Sequence, residues 1–232
     1  MYWIIAIFAL LVVVFLVWAS ADISGNVYLK AHCKGKTDEK VVALTFDDGP
    51  DGEMTSRVLD ILKRYEIKAT FFLIGEKAQK YPTTVKRIVD EGHIVANHTY
   101  THSGCFPMKS VESVCEELRM CNDTIFNIAD KRIKLFRPPF GVTNPIIGRA
   151  VRRMGFHTIG WSIRSLDTIS RYSREHICER VIRRLHPGAI ILLHDRCADA
   201  DILLERVIPA IREQGYRFVS LSDLLHIEDY EN

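Results

Sequence analysis

The chain begins with an unbroken apolar run and then changes to short apolar runs that alternate with longer segments of helical period. Between Met1 and Ala19 there is no charged residue, glycine or proline, and about 20 apolar residues suffice for a helix that crosses a bilayer. Residues 22–40 are polar and lysine-rich without a sustained period, which is typical of a tether. The pattern predicts an apolar segment (1–21), a polar tether (22–40) and one folded domain (41–232).

Within the domain, two apolar periods alternate. Short runs rich in β-branched residues predict strands, and amphipathic segments predict helices. The strands are predicted at Val41–Phe46, Ala69–Leu73, His93–Ala96, Lys134–Phe136, His157–Trp161, Ala189–Leu193 and Arg217–Val219. The helices are predicted at Met54–Tyr65, Thr83–Glu91, Val111–Ile128, Pro145–Met154, Arg174–Leu185, Ile202–Gln214 and Ser222–His226. This repeated strand-then-helix order predicts a parallel sheet, either open and doubly wound or closed into a barrel.

The N-terminal apolar segment has two interpretations. Ala19-Ser20-Ala21 resembles a signal-peptidase site, and cleavage there would release a secreted domain. A retained anchor is favoured because no Lys or Arg precedes the run, which exceeds the about 7–15 apolar residues of a signal peptide. Four lysines follow between residues 30 and 40, and the positive-inside rule would place that flank in the cytoplasm.

Composition narrows the function classes without choosing one. A length of 232 residues suits a single sizeable core. The net charge of +2 gives no reason to expect nucleic acid or a polyanionic partner, and a neutral substrate fits better. The six cysteines include no C-x-x-C pair, which argues against a zinc-finger framework. They could form disulfides or be ordinary core residues. Nothing in the sequence indicates an oligomeric state.

Polar residues follow five of the predicted strands. In chain order they are Asp47 and Asp48, His98 and His102, Arg137, Asp167, and His194. Carboxyl ends of parallel strands share one rim, so these groups are expected to converge, although each motif alone could be a turn, a surface pair or a core residue. A carboxylate with two imidazoles is a common ligand set for first-row metal ions. A second carboxylate beside it can serve as a general base.

These residues resemble the five ordered motifs of the NodB-like polysaccharide deacetylases, carbohydrate esterase family four. The resemblance runs from about Val41 to Ile227 and rests chiefly on Thr45-Phe46-Asp47-Asp48-Gly49-Pro50 and Arg137-Pro138-Pro139-Phe140-Gly141. It implies an α/β fold, a distorted (β/α) barrel with about seven parallel strands, here preceded by an apolar helix. It also implies one divalent metal ion, zinc foremost, with cobalt, manganese or nickel as alternatives.

The substrate implied by the resemblance is an N-acetylated glycan, such as peptidoglycan, a chitin-like polymer or poly-N-acetylglucosamine. Such polymers lie in the cell envelope. We therefore expect a membrane-anchored protein whose catalytic domain is extracytoplasmic, or a secreted one if the segment is cleaved.

Residue by residue, the resemblance implies a metal site and a base. Asp48, His98 and His102 would bind the metal ion. Asp47 would be the general base, and Arg137 would hold it charged and oriented.

The resemblance also implies an acid and an oxyanion site. His194 would be the general acid, paired with Asp167. The backbone N–H of Phe140 would stabilise the developing oxyanion, and Leu192 would line the pocket for the acetyl methyl group.

The sequence departs from the family pattern on either side of Asp167. Arg164 stands where many members have Asp, and Thr168 stands where many have Trp. Either Arg164 points inward and makes the sugar site more polar, or it points to solvent and an aromatic such as Tyr172 replaces the missing ring.

Two other functions fit parts of the pattern. An O-deacetylase would pass through the same tetrahedral oxyanion. A non-catalytic sugar-binding barrel would have no need of a base and an acid around a metal site.

Overall fold

The computed structural model describes residues 2–231. Met1 and Asn232, the ends of the predicted apolar segment and domain, lie outside the described residues. The strands are β1 (Ala31–His32), β2 (Val41–Gly49), β3 (Thr70–Leu73), β4 (Ile94–Asn97), β5 (Leu135–Phe136), β6 (His157–Ile159), β7 (Ile163–Arg164), β8 (Ala189–His194) and β9 (Arg217–Phe218). The α-helices are α1 (Tyr2–Ala21), α2 (Gly52–Arg64), α3 (Gly75–Lys80), α4 (Pro82–Asp90), α5 (Val111–Ala129), α6 (Pro145–Met154), α7 (Arg174–Arg183), α8 (Ala200–Glu213) and α9 (Leu221–Leu225).

The strands form one parallel sheet in the order β1-β6-β5-β4-β3-β2-β8-β7, and β9 also pairs with β2. Strand β2 is buried along its whole length and lies between β3 and β8. Its apolar first residues, Val41–Leu44, are typical of a strand in a parallel sheet that is covered on both faces. The predicted barrel-like α/β fold with an N-terminal apolar helix is confirmed.

Two packed layers follow from the alternation along β2. Val42, Leu44 and Phe46 belong to the large cluster that packs the helices on the sheet. Val41 and Ala43 belong to a smaller cluster on the other face, together with residues of α9. Successive side chains of a strand point to opposite faces, so one apolar run supplies both layers.

Two strands and a helix were not predicted. Strands β1 and β7 have two residues each, too few to show a period, and α3 has six. Strand β1 lies inside the predicted tether, pairs with β6, and is followed by a bridge from Lys34 to Ala189 at the start of β8. Part of that segment is therefore built into the sheet, while the limits of the three predicted segments stay a prediction.

Helix α1 has 20 residues and is long and apolar enough to cross a membrane by length and composition. Its described side chains are exposed except for Ala19, which is buried, and Ser20, which is partly buried. All six cysteines are free.

Candidate active site

The carboxyl ends of the strands surround a cavity of about 620 Å³. Nine of the eleven predicted site residues line it: Asp47, Asp48, His98, His102, Phe140, Arg164, Thr168, Leu192 and His194. The other two, Arg137 and Asp167, lie behind the lining and contact Asp47 and His194. The structure thus brings all the predicted residues to one site.

The two neighbouring aspartates reach this site through an irregularity at the end of β2. The register against β3 shifts between Asp47 and Gly49, and Asp48 has φ 69°. Strict alternation would send Asp47 and Asp48 to opposite faces. The bulge turns Asp48 back, so both carboxylates line the cavity.

Asp48, His98 and His102 have the geometry of a metal site. Asp48 Oδ1 lies 3.4 Å from His98 Nε2 and 3.2 Å from His102 Nε2. Two ligands that each lie about 2.1 Å from a tetrahedral ion are about 3.4 Å apart. His98 Nδ1 lies 2.8 Å from the carbonyl oxygen of Arg137. Donation from Nδ1–H leaves the Nε2 lone pair directed at the site.

The protonation states suit the same use. Burial alone would raise the pKa of Asp48, but hydrogen bonds and charge from His98, Arg196 and His102 hold it well below its ordinary value. Burial, reinforced by His98, lowers the pKa of His102 to about 4. An ionised carboxylate and a neutral imidazole are the forms that bind a metal ion.

Arg137 holds Asp47 from inside the barrel. Its guanidinium is fully buried, and Nη1 donates to Asp47 Oδ1 at 2.6 Å and to Thr45 Oγ1 at 3.0 Å. Its Nη2 donates to the carbonyl of Gly160 at 2.8 Å. Burial lowers the pKa of Arg137, but a guanidinium stays charged at neutral pH. Asp47 therefore keeps one oxygen fixed while Oδ2 faces the cavity, 3.9 Å from His98 Nε2.

His194 and Asp167 form a second pair. His194 Nδ1 lies 2.8 Å from Asp167 Oδ1, and the His194 backbone N–H donates to Asp167 Oδ2 at 2.7 Å. Burial would lower the pKa of His194, but the hydrogen bond and charge of Asp167 outweigh it and raise that pKa. Ser165 Oγ donates to Asp167 at 2.9 Å and fixes the carboxylate. The imidazole is thus held with Nε2 facing the site, 3.9 Å from Asp48 Oδ2.

The two apolar residues of the cavity, Phe140 and Leu192, differ in their exposure to solvent. Phe140 has φ 60°, its side chain is 55% exposed, and its ring centroid lies 4.8 Å from that of His102. Leu192 is 3% exposed and offers a small apolar surface inside the cavity.

The departure at residues 164 and 168 changes the wall of the cavity. Arg164 and Thr168 both line it, and the Arg164 guanidinium lies 5.9 Å from the Trp161 ring centroid. Tyr172 lines a neighbouring cavity, and its ring centroid lies 4.6 Å from that of His176. Thr168 lines both cavities, and Trp161, a residue with no predicted functional role, is an aromatic side chain of the active-site wall.

Two basic residues of the site were also not predicted. Arg196 Nε donates to Asp48 Oδ2 at 2.8 Å, on the side of the carboxylate away from His102. Lys77 Nζ donates to the backbone carbonyl of Asp48 at 2.7 Å. The signal for Arg196 was its place two residues after His194 on the same rim, whereas Lys77 lies on the short α3.

Known proteins share both the sequence and the fold. A family model described as polysaccharide deacetylase matches residues 34–159. The peptidoglycan-N-acetylmuramic acid deacetylase PdaA of Bacillus subtilis is 34% identical over 194 residues, 82% of this chain and 73% of that protein.

Solved structures agree with this match. The peptidoglycan N-acetylglucosamine deacetylase Bc1960 superposes with a TM-score of 0.79 at 33% identity, covering 86% of this chain and 94% of that one. BA3943 of Bacillus anthracis, a CE4 family pseudoenzyme, has a TM-score of 0.78 at 30% identity, covering 84% and 68%. Because one fold carries both enzymes and a pseudoenzyme, the function must be argued from the site.

Proposed function

Because this chain belongs to the polysaccharide deacetylase family, a family of hydrolases, we propose that it removes N-acetyl groups from an amino-sugar glycan of the cell envelope. The observation that carries the proposal is the convergence of three groupings on one cavity. They are the Asp48, His98 and His102 cluster, the Asp47 carboxylate held by Arg137, and the His194–Asp167 pair.

A divalent ion fits the first grouping, in which the three ligand atoms lie within 4.8 Å of one another. Asp48, His98 and His102 would hold it, and zinc is the ion best suited to one carboxylate and two imidazoles. When bound, such an ion supplies Lewis acidity toward the acetyl carbonyl and lowers the pKa of water.

Asp47 is the proposed general base. Its Oδ1 is occupied by Arg137, and its Oδ2 is free to accept a proton from the attacking water. The buried Arg137 guanidinium holds the Asp47 carboxylate in one orientation through that hydrogen bond. The base therefore meets the water already oriented, which removes an entropic part of the barrier.

His194 is the proposed general acid. An amide nitrogen leaves only after protonation, so the site needs a proton donor on the side opposite the base. Asp167 raises the pKa of His194 and thereby favours the imidazolium. A donor of this kind matters less for an ester, which favours the N-deacetylase over the O-deacetylase.

The remaining predicted residues would position the glycan. The backbone N–H of Phe140 would donate to the oxyanion, Leu192 would contact the acetyl methyl group, and Trp161 would stack on a sugar ring. Arg164 and Thr168 would make the adjoining wall polar. PdaA and Bc1960 are peptidoglycan amino-sugar deacetylases by name, and we propose the same substrate class here.

We further propose that α1 is a retained membrane anchor and that the domain is extracytoplasmic. Support comes from the length and exposure of α1 and from the location of peptidoglycan. Protease treatment of spheroplasts tests this orientation, because a fully protected domain would place it in the cytoplasm.

The function is tested by measuring acetate release from N-acetylated peptidoglycan with the full chain in detergent. Asp47→Asn should lower kcat by about 10²–10⁴-fold while metal content stays near one ion per chain, because its role is proton transfer. Asp48→Asn should lose both metal and turnover. Asp123→Asn, at an exposed position of α5, is the matched control.

Wild-type rates in Asp47→Asn, or full activity in a metal-free sample, would refute the proposed mechanism. Acetylated xylan is the ester comparison: faster release from it than from the amide substrate would establish the O-deacetylase instead.

A further inference from the structure

The root of α1 is fixed to the lip of the active site. The Thr143 backbone N–H donates to the carbonyl of Ser20 at 2.9 Å, and Thr143 Oγ1 donates to the carbonyl of Ala19 at 3.3 Å. Ala19 is 1% exposed, and Thr143 is buried. The last turn of the apolar helix is therefore part of the domain surface, with no free spacer between them.

The segment that holds this root also forms the lip of the cavity. Thr143 follows Phe140 by three residues, so their Cα atoms lie within about 11 Å of each other. Phe140 lines the cavity, is more than half exposed, and touches the ring of His102. The active-site opening consequently lies within a short distance of the point where α1 leaves the domain.

Exposed apolar side chains occur on the segments that adjoin this point. Across residues 2–231, five large apolar side chains outside α1 are exposed: Val27, Met108, Met120, Phe140 and Ile202. We call three of them, Val27, Met108 and Phe140, the collar.

Two observations place the segments that carry the collar residues Val27 and Met108 beside the root. A Cβ on Gly25 would lie 3.1 Å from Trp18 and 3.8 Å from Val27, so Val27 adjoins the last turn of α1. Met108 follows Pro107, whose carbonyl accepts a hydrogen bond from Asn144 Nδ2 at 2.6 Å, directly after Thr143.

We infer that the collar lies in the interface of the bilayer that α1 crosses, so that the active site takes its glycan at the membrane surface. A spanning helix ends at the interface, and residues fixed to that end share its depth. Clustered exposed apolar side chains mark a contact surface, and here the contact is continuous with the anchor. This inference rests on the proposed function, in which α1 is retained and the substrate is an N-acetylated glycan.

Lipid contact is tested directly with the full chain in vesicles of phosphatidylcholine and phosphatidylglycerol. Met108→Trp adds a tryptophan fluorophore to the collar, whereas Met120→Trp and Ile202→Trp add one at exposed positions of α5 and α8. Each variant is compared with the parent protein to remove the native tryptophans. Phosphatidylcholine brominated near the glycerol end should quench the added emission of Met108→Trp and leave both controls unquenched. Equal quenching of all three, or of none, overturns the inference.

The functional consequence is tested with Val27→Glu/Met108→Glu and the control Met120→Glu/Ile202→Glu. The collar variant should lose about tenfold in kcat/KM on a lipid-linked N-acetylated glycan in vesicles, equivalent to ~1.4 kcal/mol of lost interface contact. On a water-soluble N-acetylglucosamine oligomer it should match the control. Equal loss on both substrates, or on neither, contradicts the inference.

Two further results separate this inference from the proposed function. A mature chain that begins after Ala21, found by mass spectrometry, overturns the collar inference while deacetylation stands. Absence of acetate release from both peptidoglycan and the soluble oligomer refutes the proposed function, while the quenching result still reports on the collar.

Discussion

Asp195, next to the proposed acid His194, should make the folded protein less stable as the pH rises. The side chain is completely buried, Oδ2 accepts a hydrogen bond from Thr55 Oγ1 at 2.6 Å, and Oδ1 has no hydrogen-bond partner within residues 2–231. Burial raises the pKa of Asp195 from 3.8 to about 7. A Cβ on Gly49 would lie only 2.3 Å from Oδ2, so the carboxyl has little room to move toward water.

The raised pKa of Asp195 means that the unfolding free energy falls as the pH rises. Between pH 3.8 and 7 the folded state holds a proton on Asp195 that the unfolded chain releases. The stability gained from the neutral carboxyl is complete below pH 3.8 and is lost as the pH rises through 7. A pKa difference of about 3 corresponds to about 4 kcal/mol of unfolding free energy.

Asp195→Asn keeps the shape and stays neutral, so it should escape this loss. We expect the unfolding free energy of the variant minus that of the wild type to rise by about 3–4 kcal/mol between pH 4 and pH 8. Urea denaturation of the full chain in detergent, with chelator present, measures the difference and cancels the other titrating groups. Asp123→Asn, at an exposed position, should show a difference that varies by less than about 0.5 kcal/mol. A difference for Asp195→Asn that is constant within about 1 kcal/mol would refute the reasoning.

Two further predictions concern activity. Asp167→Asn should move the basic limb of the kcat/KM profile to lower pH, because it removes the charge and the hydrogen bond that raise the pKa of His194; an unmoved limb would show that His194 is not the acid. Arg164→Ala should raise KM for an acidic amino sugar by about three- to tenfold, the effect of one charge-assisted hydrogen bond, while Arg171→Ala outside the cavity leaves it unchanged. Thr168→Trp should change the preference between neutral and acidic oligosaccharides at constant metal affinity. Wild-type kcat/KM for both Arg164→Ala and Thr168→Trp across such a panel would mean that the departure from the family pattern is neutral.

Several features of the fold could be predicted because they depend on neighbours along the chain. The apolar period of 41–46 and 189–193 marks buried strands in any compact fold, and β2 and β8 lie side by side at the centre of the sheet. Parallel strands share a carboxyl rim, so the polar residues after them had to meet. The shared rim and the family resemblance together identify the eleven candidate residues without coordinates, although their roles stay predictions and Lys77, Trp161 and Arg196 are not among them.

The local sequence pattern does not predict elements that form only by pairing with segments far away in the chain. Strands β1 and β7 are each two residues long and exist only because β6 and β8 pair with them. The expectation of a tether over residues 22–40 missed β1 for this reason. Trp161 stands at the end of a predicted strand, but only the packed structure shows that it lines the cavity near Arg164.

The sequence by itself determined which chemical groups this protein has, their order, and the rim to which parallel strands bring them. The tertiary structure decided their directions and partners: the bulge that turns Asp48 beside Asp47, the Arg196 side chain on Asp48, and the root of α1 on Thr143. The physical reason is the range of the forces. Periodicity and turn chemistry act over a few residues, whereas these three features depend on contacts between segments far apart in the chain, which form only when the core packs.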